Sequence, residues 1–364
     1  MKKYDVIGLM SGTSLDGLDI VFVRFSYNFE WSYKVIQCQS VSYDIELSNK
    51  LKHAAKVSGI ELKKLDVYYG KWIGNQVKTF MDVHKLKPQL IVSHGHTIFH
   101  QPEIGLTLQI GDGYQIMLTT GVKTVCDLRS LDISFGGQGA PLVPIGDKLL
   151  FKEYDACLNL GGFSNISFDK DGKRIAYDIC PVNIVLNELA SRMNLPYDKD
   201  GETARVGKCN KRLLQKLNAL QYYGQKPPKS LGLEWVQHHI FPILKNDTTE
   251  NLLNTFCDHI TYQITSSIED NFQFSTSVSA KMLVTGGGTK NSFLMDLLKT
   301  KSGGKWDIII PDNQIIEFKE AIIFAFLGLL RILGKINSLK SVTGSISDSS
   351  GGLIYDHLSS INPT

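Results

Sequence analysis

Four small polar residues that could bind an anion lie between two apolar runs near the start of the chain. They are Ser11, Gly12, Thr13 and Ser14, within the stretch IGLMSGTSLDGLDIVFVRF at residues 7–25. Successive backbone N–H groups in a tight turn form a concavity that suits a phosphate. The stretch therefore predicts a phosphate-binding turn, and an ordinary hairpin turn is the alternative interpretation.

The elements around this turn are strands. A Walker loop would end in Gly-Lys-Ser/Thr and lead into a helix, and a dinucleotide fingerprint would have three spaced glycines that open a helix. Neither pattern is present. After Gly17 the chain reads LDIVFVRF, in which β-branched and aromatic residues alternate between two faces. The sequence thus predicts a hairpin with the polar turn at its tip.

A second glycine-containing hairpin and a third glycine cluster follow later in the chain. The stretch DACLNLGGFSNISF at residues 155–168 predicts a strand, a turn at Gly161 and Gly162, and a second short strand. The stretch at residues 281–298 predicts a strand, then Gly286-Gly287-Gly288, then a helix that begins near Asn291. Exposed N–H groups at a helix N-terminus suit a nucleotide phosphate. Two similar hairpins predict a duplicated α/β architecture.

An acidic residue provides a candidate catalytic group. The stretch at residues 174–193 predicts a strand with Asp178 at its end, then Pro181 at the first position of an amphipathic helix. A carboxylate at the carboxyl end of a strand is well placed for a ligand crevice in an α/β fold. A turn or capping aspartate is the alternative. Residues 88–100 and 107–118 each predict a strand with polar ends.

Composition limits the class of protein. The chain has 364 residues, 43% of them apolar and 21% charged, with a formal net charge of +3. This length suits two domains, and the flexible stretch SFGGQGAP at residues 134–141 places their boundary at 135/136, giving domains 1–135 and 136–364. The C-terminal tail is a candidate to pack back on the first domain.

The charge gives no sign of a nucleic-acid partner. No stretch predicts a signal peptide or a membrane span, and the six scattered cysteines predict reduced thiols in a cytoplasmic protein.

Residues Gly8 to Asp19, GLMSGTSLDGLD, resemble the signature of the anhydro-N-acetylmuramic acid kinases. Further blocks resemble those of the same family in the same order along nearly the whole chain: residues 93–95, 108–112, 136–141, 159–162, 197–201, 286–288, 319–321 and 341–344. The resemblance implies two ribonuclease-H-like domains of the actin-like ATPase type, with a nucleotide and sugar cleft between them. It implies an ATP- and Mg²⁺-dependent kinase that opens the 1,6-anhydro ring by adding water and phosphorylates O6, and a homodimer.

The resemblance also implies roles for individual residues. Asp178 is the expected catalytic base. The expected ATP-binding residues are Ser11, Gly12, Thr13, Ser14, Leu15, Asp16, Gly17, Leu18, Gly161, Gly162, Gly286, Gly287 and Gly288. The expected sugar-binding residues are His94, His96, Arg129, Asn183 and Glu320. Asp16 is also the candidate to hold Mg²⁺ through water, with a surface turn charge as the alternative. For Glu320 the alternative is electrostatic support of the first turn of a helix.

Several positions depart from the family pattern or allow another interpretation. The usual Asp-Thr-Gly-Pro-Gly-Asn is here Asp178-Ile179-Cys180-Pro181-Val182-Asn183, which lacks both glycines, and His96 stands where glutamine is more common. Cys180, two residues from the expected base and before a helix, is predicted to be a reactive thiol. His94, His96 and His100 suggest a zinc site, since His94 and His96 would share a strand face, but no carboxylate or cysteine nearby in the sequence completes it.

Two other functions stay open at this stage. The lost glycines permit a kinase for a related amino sugar. The same fold also permits a non-catalytic ATP-dependent interaction protein, although a retained Asp178 argues for an enzyme.

Overall fold

The computed structural model describes residues 1–12, 15–272 and 279–357. The chain divides into two compact units. The first contains residues 1–150 and the residues from 318 onward, and the second contains residues 151–317.

The first unit is built around a six-stranded sheet in the order β13-β7-β4-β1-β2-β3. Its strands are β1 Lys2–Met10, β2 Gly17–Asn28, β3 Glu30–Ser42, β4 Leu90–Ser93, β7 Thr124–Cys126 and β13 Leu353–Tyr355, and a separate two-stranded sheet pairs β5 His96–Gln101 with β6 Leu106–Ile110. Its helices are α1 Ile45–His53, α2 Gly59–His84, α3 Gly113–Thr120, α4 Ser130–Ser134, α5 Val143–Leu150 and α13 Lys340–Thr343. Helix α12, Asn313–Ile332, begins in the second unit and belongs to the first from Phe318.

The second unit is built around a five-stranded sheet in the order β10-β9-β8-β11-β12. Its strands are β8 Ala156–Leu160, β9 Phe163–Lys170, β10 Lys173–Pro181, β11 Ala280–Thr285 and β12 Trp306–Ile309. Its helices are α6 Asn183–Ser191, α7 Glu202–Val206, α8 Lys211–Asn218, α9 Leu233–His239, α10 Thr249–Asn271 and α11 Ser292–Lys301.

The two sheets share one topology. In the first unit β1, β2 and β3 are antiparallel neighbours, and β4 and then β7 extend the sheet in parallel on the other side of β1. In the second unit β8, β9 and β10 are antiparallel, and β11 and then β12 extend the sheet in parallel beyond β8. This repeated order confirms the predicted duplicated α/β fold with two ribonuclease-H-like domains.

Apolar periodicity explains the core of each unit. In the first unit, helix α2 buries Tyr69, Ile73 and Val77, which recur every four residues along one face and contact the sheet core that contains Ile7 and Leu9. In the second unit, α10 buries Phe256, Ile260 and Ile264 in the same way. Each hairpin therefore rests on a packed helix that fixes its position within its own unit.

The division into units differs from the sequence-based boundary at 135/136. Residues 136–150 belong to the first unit, where Gly146 in α5 packs so closely on Ile323 that an added Cβ would lie 2.5 Å from it. The glycine-rich stretch is also fixed, because the buried Asp132 carboxylate accepts a hydrogen bond from the Gly139 N–H at 2.8 Å. Flexible composition in the sequence does not mark the division between the units.

Two predicted strands are corrected. Residues 88–100 form β4 and β5 with a turn at His94 and Gly95. Gly95 has φ +75° and lies against the Ile110 carbonyl, 2.5 Å from where a Cβ would be. Residues 107–118 form β6 and then helix α3, because the Asp112 carboxylate accepts a hydrogen bond from the Gln115 N–H at 3.1 Å and caps the helix.

Within the described ranges, no helix combines the length and the apolar character that a membrane span needs.

Candidate active site

The first hairpin forms as the sequence predicts: β1 ends at Met10, β2 begins at Gly17, and the two strands pair antiparallel. Leu15 adopts φ +61°, and its N–H donates to the Gly12 carbonyl at 3.4 Å. Thr13 and Ser14 lie outside the described residues. Asp16 is exposed beside the turn.

The Ser11 hydroxyl is engaged inside the first unit. Ser11 is buried, and its Oγ lies 2.7 Å from the Tyr43 hydroxyl and 3.1 Å from Nδ1 of His96. The Tyr43 hydroxyl in turn lies 2.7 Å from that of Tyr69. Burial lowers the pKa of His96, so this ring is neutral at physiological pH. The side chain of Ser11 thus fixes the end of β1 against Tyr43 and His96.

The last two residues of the expected ATP segment lie in β2 and are constrained by packing. A Cβ on Gly17 would lie 2.3 Å from the Val41 carbonyl of β3, so only glycine fits this close approach. Leu18 is a buried member of the core of the first unit. Packing at these two positions therefore fixes the start of β2.

His94 and Arg129, expected sugar-binding residues, contact each other directly. Arg129 donates to Nε2 of His94 through Nε at 3.1 Å and Nη2 at 2.8 Å, and through Nη1 to the Gly139 carbonyl at 2.6 Å. His94 Nδ1 lies 2.8 Å from the Gly95 carbonyl, which can only accept. The proton of His94 is therefore on Nδ1, and the ring is neutral. Burial, with the Arg129 charge, lowers the pKa of His94 to about 3.

Glu320 is the one carboxylate among the expected sugar-binding residues. It lies well inside α12, which begins at Asn313, so the alternative role in supporting a first helical turn is wrong. Its side chain is reachable by solvent, yet surrounding protein atoms desolvate it enough to raise its pKa, against the opposing charges of Arg129 and Lys319. An accessible but crowded carboxylate is able to accept hydrogen bonds from a ligand.

Asp132, which the sequence reasoning missed, holds several segments of the first unit together. Besides Gly139, its buried carboxylate accepts hydrogen bonds from the hydroxyls of Ser338 and Thr343, both at 2.7 Å. It therefore connects Gly139, in the family block at 136–141, with Thr343, in the block at 341–344, and with Ser338 just before that block. The Gly139 carbonyl held in this way is the acceptor for Arg129.

In the second unit the glycine turns meet the start of α6. The Gly162 carbonyl accepts from the Val182 N–H at 2.8 Å, and the Gly161 carbonyl accepts from the Asn183 N–H at 3.2 Å. The Asn183 side chain donates to the Leu160 carbonyl at 3.1 Å. This expected sugar-binding residue thus joins β8 to α6 through its amide group.

The third glycine cluster lies against the same turn. Gly286 has φ +88°, and an added Cβ would lie 2.5 Å from Oδ1 of Asn159. Gly287 is exposed, and Gly288 is packed on Leu160. The predicted helix after the cluster is confirmed as α11, which Asn291 caps by accepting from the Leu294 N–H at 2.9 Å. The second hairpin and the glycine cluster are therefore neighbours within one unit.

Asp178 lies inside β10, three positions before its end, and not at a strand terminus as the sequence predicts. The pairing continues to Pro181, which the structure places in the strand and not in α6. Proline is tolerated there because β10 is an edge strand. A bulge between Asp178 and Cys180 interrupts the register with β9.

The Asp178 carboxylate is half-buried and anchored through one oxygen. Oδ2 accepts a hydrogen bond from the Leu231 N–H at 2.9 Å. Desolvation raises the pKa of Asp178 to about 6, against the lowering effect of that hydrogen bond. A carboxylate with a pKa near the operating pH is suited to general base catalysis. Leu231 and its neighbours were missed by the sequence reasoning, where the stretch QKPPKSLG at 225–232 signals only a loop.

The residues that replace the family's glycines belong to the core. Cys180 and Val182, which stand at the two glycine positions, are buried in the core of the second unit, as is Ile179 at the threonine position. The prediction of a reactive Cys180 is wrong, because burial raises the pKa of its thiol to about 12 and its Sγ lies 3.2 Å from the Ser164 hydroxyl.

Within residues 1–12, 15–272 and 279–357, no cluster of three His, Cys, Asp or Glu residues could hold a metal.

Comparison with known proteins identifies the family. A family model described as "Anhydro-N-acetylmuramic acid kinase" matches residues 4–357. The chain is 31% identical to the anhydro-N-acetylmuramic acid kinase of Sulfurimonas denitrificans, with 96% of this chain and 99% of the relative covered. Identity to the kinase of the same name from Pseudomonas savastanoi pv. phaseolicola is 32%, over 96% and 98% of the two chains. For the Aliivibrio fischeri relative it is 33%, over 98% and 99%. The chain belongs to the anhydro-N-acetylmuramic acid kinase family.

Proposed function

We propose that the chain is an ATP-dependent kinase that opens the 1,6-anhydro ring of anhydro-N-acetylmuramic acid and phosphorylates O6. The product is N-acetylmuramic acid 6-phosphate, which places the enzyme in the recycling of cell-wall sugars. The observation that carries the proposal is Asp178: a carboxylate anchored at one oxygen, with a pKa raised to about 6, in a chain of this family.

In this reaction Asp178 acts as the general base. It accepts a proton from a water molecule whose oxygen bonds to the anomeric carbon. The bond between that carbon and O6 breaks, and O6 forms a bond to the γ-phosphorus as the bond from that phosphorus to the ADP oxygen breaks. A base with a pKa of about 6 is largely deprotonated at neutral pH and is a stronger base than an ordinary carboxylate. One carboxylate thereby serves a coupled hydrolysis and transfer.

ATP is bound by small residues and backbone groups. Phosphoryl transfer depends mainly on positioning and on charge stabilisation, for which turns of small residues provide close backbone approach. We assign this role to the turn between β1 and β2 and to the glycines at 161–162 and 286–288. These glycines share one region of the second unit, since Gly286 and Gly288 both pack on Leu160.

Mg²⁺ enters the proposal with the nucleotide. Magnesium in kinases is usually held by one or two carboxylates together with substrate phosphates and water. The exposed Asp16 beside the first turn fits that donor set, and Mg²⁺ would supply charge stabilisation to the transferred phosphoryl group.

The sugar is contacted by residues around the His94–Arg129 pair. The neutral His94 accepts from Arg129, whose charge acts on Glu320, so that an acceptor carboxylate and a fixed cation occupy one region of the first unit. His96 is held by Ser11, which connects this region to the turn between β1 and β2.

We further propose that the protein is a homodimer in the cytoplasm, in keeping with the family resemblance.

Phosphate transfer across a panel of sugars tests this function. The purified chain is incubated with Mg·ATP and with anhydro-N-acetylmuramic acid, N-acetylmuramic acid, anhydro-N-acetylglucosamine and N-acetylglucosamine, and the products are identified by mass spectrometry. With anhydro-N-acetylmuramic acid we expect N-acetylmuramic acid 6-phosphate, whose mass includes one added water molecule. Preferred transfer to an open amino sugar would replace the proposed substrate. ATP consumption that is the same with and without each sugar, with no phosphorylated sugar formed, would favour an ATP-dependent interaction protein that has no sugar kinase activity.

A further inference from the structure

We propose that two parts of the second unit, Tyr222 and the stretch Lys229–Leu231, together position the carboxylate of Asp178. Both parts together are here called the strap. The strap leaves Oδ1 of Asp178 free to accept the proton of the attacking water. The inference deepens the proposed function and rests on the role of Asp178 as the base. None of the strap residues belongs to the segments that carry the family resemblance.

Three polar atoms of Asp178 bond to the strap. The Asp178 N–H donates to the Lys229 carbonyl at 3.1 Å, the Asp178 carbonyl accepts from the Tyr222 hydroxyl at 2.7 Å, and Oδ2 accepts from the Leu231 N–H at 2.9 Å. Because β10 is the edge strand of its sheet, its outer backbone groups need such partners. The strap therefore fixes both the backbone and the side chain of Asp178.

The two carboxylate oxygens are thereby made unequal. Oδ2 is occupied by the Leu231 N–H, whereas Oδ1 makes no hydrogen bond within the described part of the chain. A base must have a free lone pair within reach of the proton that it removes, and small displacements of a catalytic group cost large factors in rate. The strap meets both requirements: its hydrogen bond to Oδ2 fixes the position of the carboxylate, and Oδ1 keeps a free lone pair for the proton.

The strap is itself held by a cation over an aromatic ring. The Lys229 ammonium lies 4.6 Å from the centroid of the Tyr222 ring and 6.0 Å from that of Tyr177. Its Nζ also donates to the Tyr222 carbonyl at 3.4 Å. Tyr222 is buried and packs on the ring of Trp235 at 5.4 Å. Tyr222 and Lys229 are thus held in place within the second unit.

Tyr222 and Cys180, two titratable groups beside Asp178, do not titrate in the neutral range. Tyr222 has a pKa raised above its ordinary range by burial and by the Asp178 charge, and burial raises the pKa of Cys180 to about 12. Burial lowers the pKa of Lys229, while the Cys180 and Asp270 charges oppose this. An acid limb near pH 6 in the rate profile therefore reports on Asp178.

Tyr222→Phe tests the strap, with Tyr223→Phe as its matched control. The neighbouring Tyr223 hydroxyl bonds to Nε2 of His259 at 2.9 Å and not to Asp178. For each variant, kcat and KM for anhydro-N-acetylmuramic acid and for ATP are measured across pH. We expect Tyr222→Phe to lose about tenfold in kcat, the effect of one buried hydrogen bond, with little change in KM for ATP. Its acid limb moves from about pH 6 toward the ordinary carboxyl pKa, because a loosened strap admits water. Tyr223→Phe keeps the parent's limb.

Lys229→Met and Lys229→Arg provide a second, independent comparison. Methionine removes the cation above Tyr222, whereas arginine keeps it, so we expect the limb to shift in the first variant and to be restored in the second. Thermal unfolding confirms that each variant is folded. A parent-like limb and kcat in both Tyr222→Phe and Lys229→Met would overturn the inference, as would an equal shift in Tyr223→Phe. If Asp178→Asn retained the parent's activity, the role of Asp178 as the base would fail and the inference with it, whereas parent-like strap variants beside an inactive Asp178→Asn would overturn the inference alone.

Discussion

The Arg129 guanidinium donates two hydrogen bonds to a single acceptor, Nε2 of His94, at 3.1 and 2.8 Å. An imidazole that receives both of these donors cannot carry a proton on that nitrogen. His94 therefore acts as a neutral scaffold that orients a cation, and it does not serve as a proton donor at physiological pH. The proposed proton transfer therefore relies on Asp178 and not on His94.

The pH dependence of catalysis follows from the raised pKa of Asp178. Below a pH of about 6 the carboxyl group is protonated and cannot act as a base, so kcat/KM for the sugar should rise with pH through about 6 and then level off. Asp178→Asn should lower turnover by at least ~10² and remove this limb. Steady-state rates across this range test both. A limb that persisted in Asp178→Asn would belong to another group.

Asp178→Asn should also make the folded protein more stable at neutral pH. The carboxyl pKa is higher in the folded than in the unfolded state, from 3.8 to about 6, so the folded state binds more protons between those values. Stability is therefore lost as pH rises through that window, and the uncharged amide avoids this loss. Thermal unfolding at neutral and at acidic pH measures it: the Tm gain should be present at neutral pH and absent below the unfolded-state pKa.

Arg129→Lys should weaken sugar binding even though the charge is kept. Lysine cannot supply the planar set of donors that reaches both His94 and Gly139. We expect KM for the sugar to rise on the order of tenfold, with KM for ATP unchanged. Arg24→Lys is the control, because Arg24 also forms a two-bond pair, with Asp5 in the same unit, but at a half-exposed site. Equal effects in the two variants would point to general destabilisation.

Two glycine substitutions should separate nucleotide binding from folding. A Cβ on Gly162 meets nothing within 4 Å, so Gly162→Ala should fold normally and raise KM for ATP if the turn approaches a phosphate. Gly286→Ala should lower Tm as well, because Gly286 has φ +88° and its Cβ would lie 2.5 Å from the Asn159 side chain. Gly59→Ala, in open space at the start of α2, is the control. An unchanged KM for ATP in Gly162→Ala would remove this turn from the nucleotide site.

Cys180 should resist alkylation in the folded protein. Its thiol is fully buried and its pKa is raised to about 12, so almost no thiolate exists at neutral pH. Cys38 and Cys209 are half-buried and should be labelled first. Time-resolved labelling followed by peptide mass spectrometry ranks the sites, with an unfolded sample as the reference. Labelling of folded Cys180 at the rate of Cys38 would contradict its placement in the core.

Much of the fold and some of the site follow from local sequence. The alternation after Gly17 predicts β2 because a strand places successive side chains on opposite faces, and the same reasoning finds the hairpin of β8 and β9. Asp178 stands out in the sequence as an acidic residue at the predicted end of an apolar strand. The predictions fail where two structures compete locally: at Gly95 a left-handed backbone turns the chain, and at Asp112 a cap begins a helix.

The tertiary structure alone decides the chemistry of these groups. Asp178 obtains its hydrogen bond from Leu231, 53 positions away, and His94 its donors from Arg129, 35 positions away. Cys180 is next to a helix in sequence, but packing and not the helix determines its pKa. The sequence by itself determines the alternation, the glycine turns and the family motifs, because these depend on near neighbours. Desolvation and long-range hydrogen bonds depend on which remote segments pack against a group, and only the folded chain determines that.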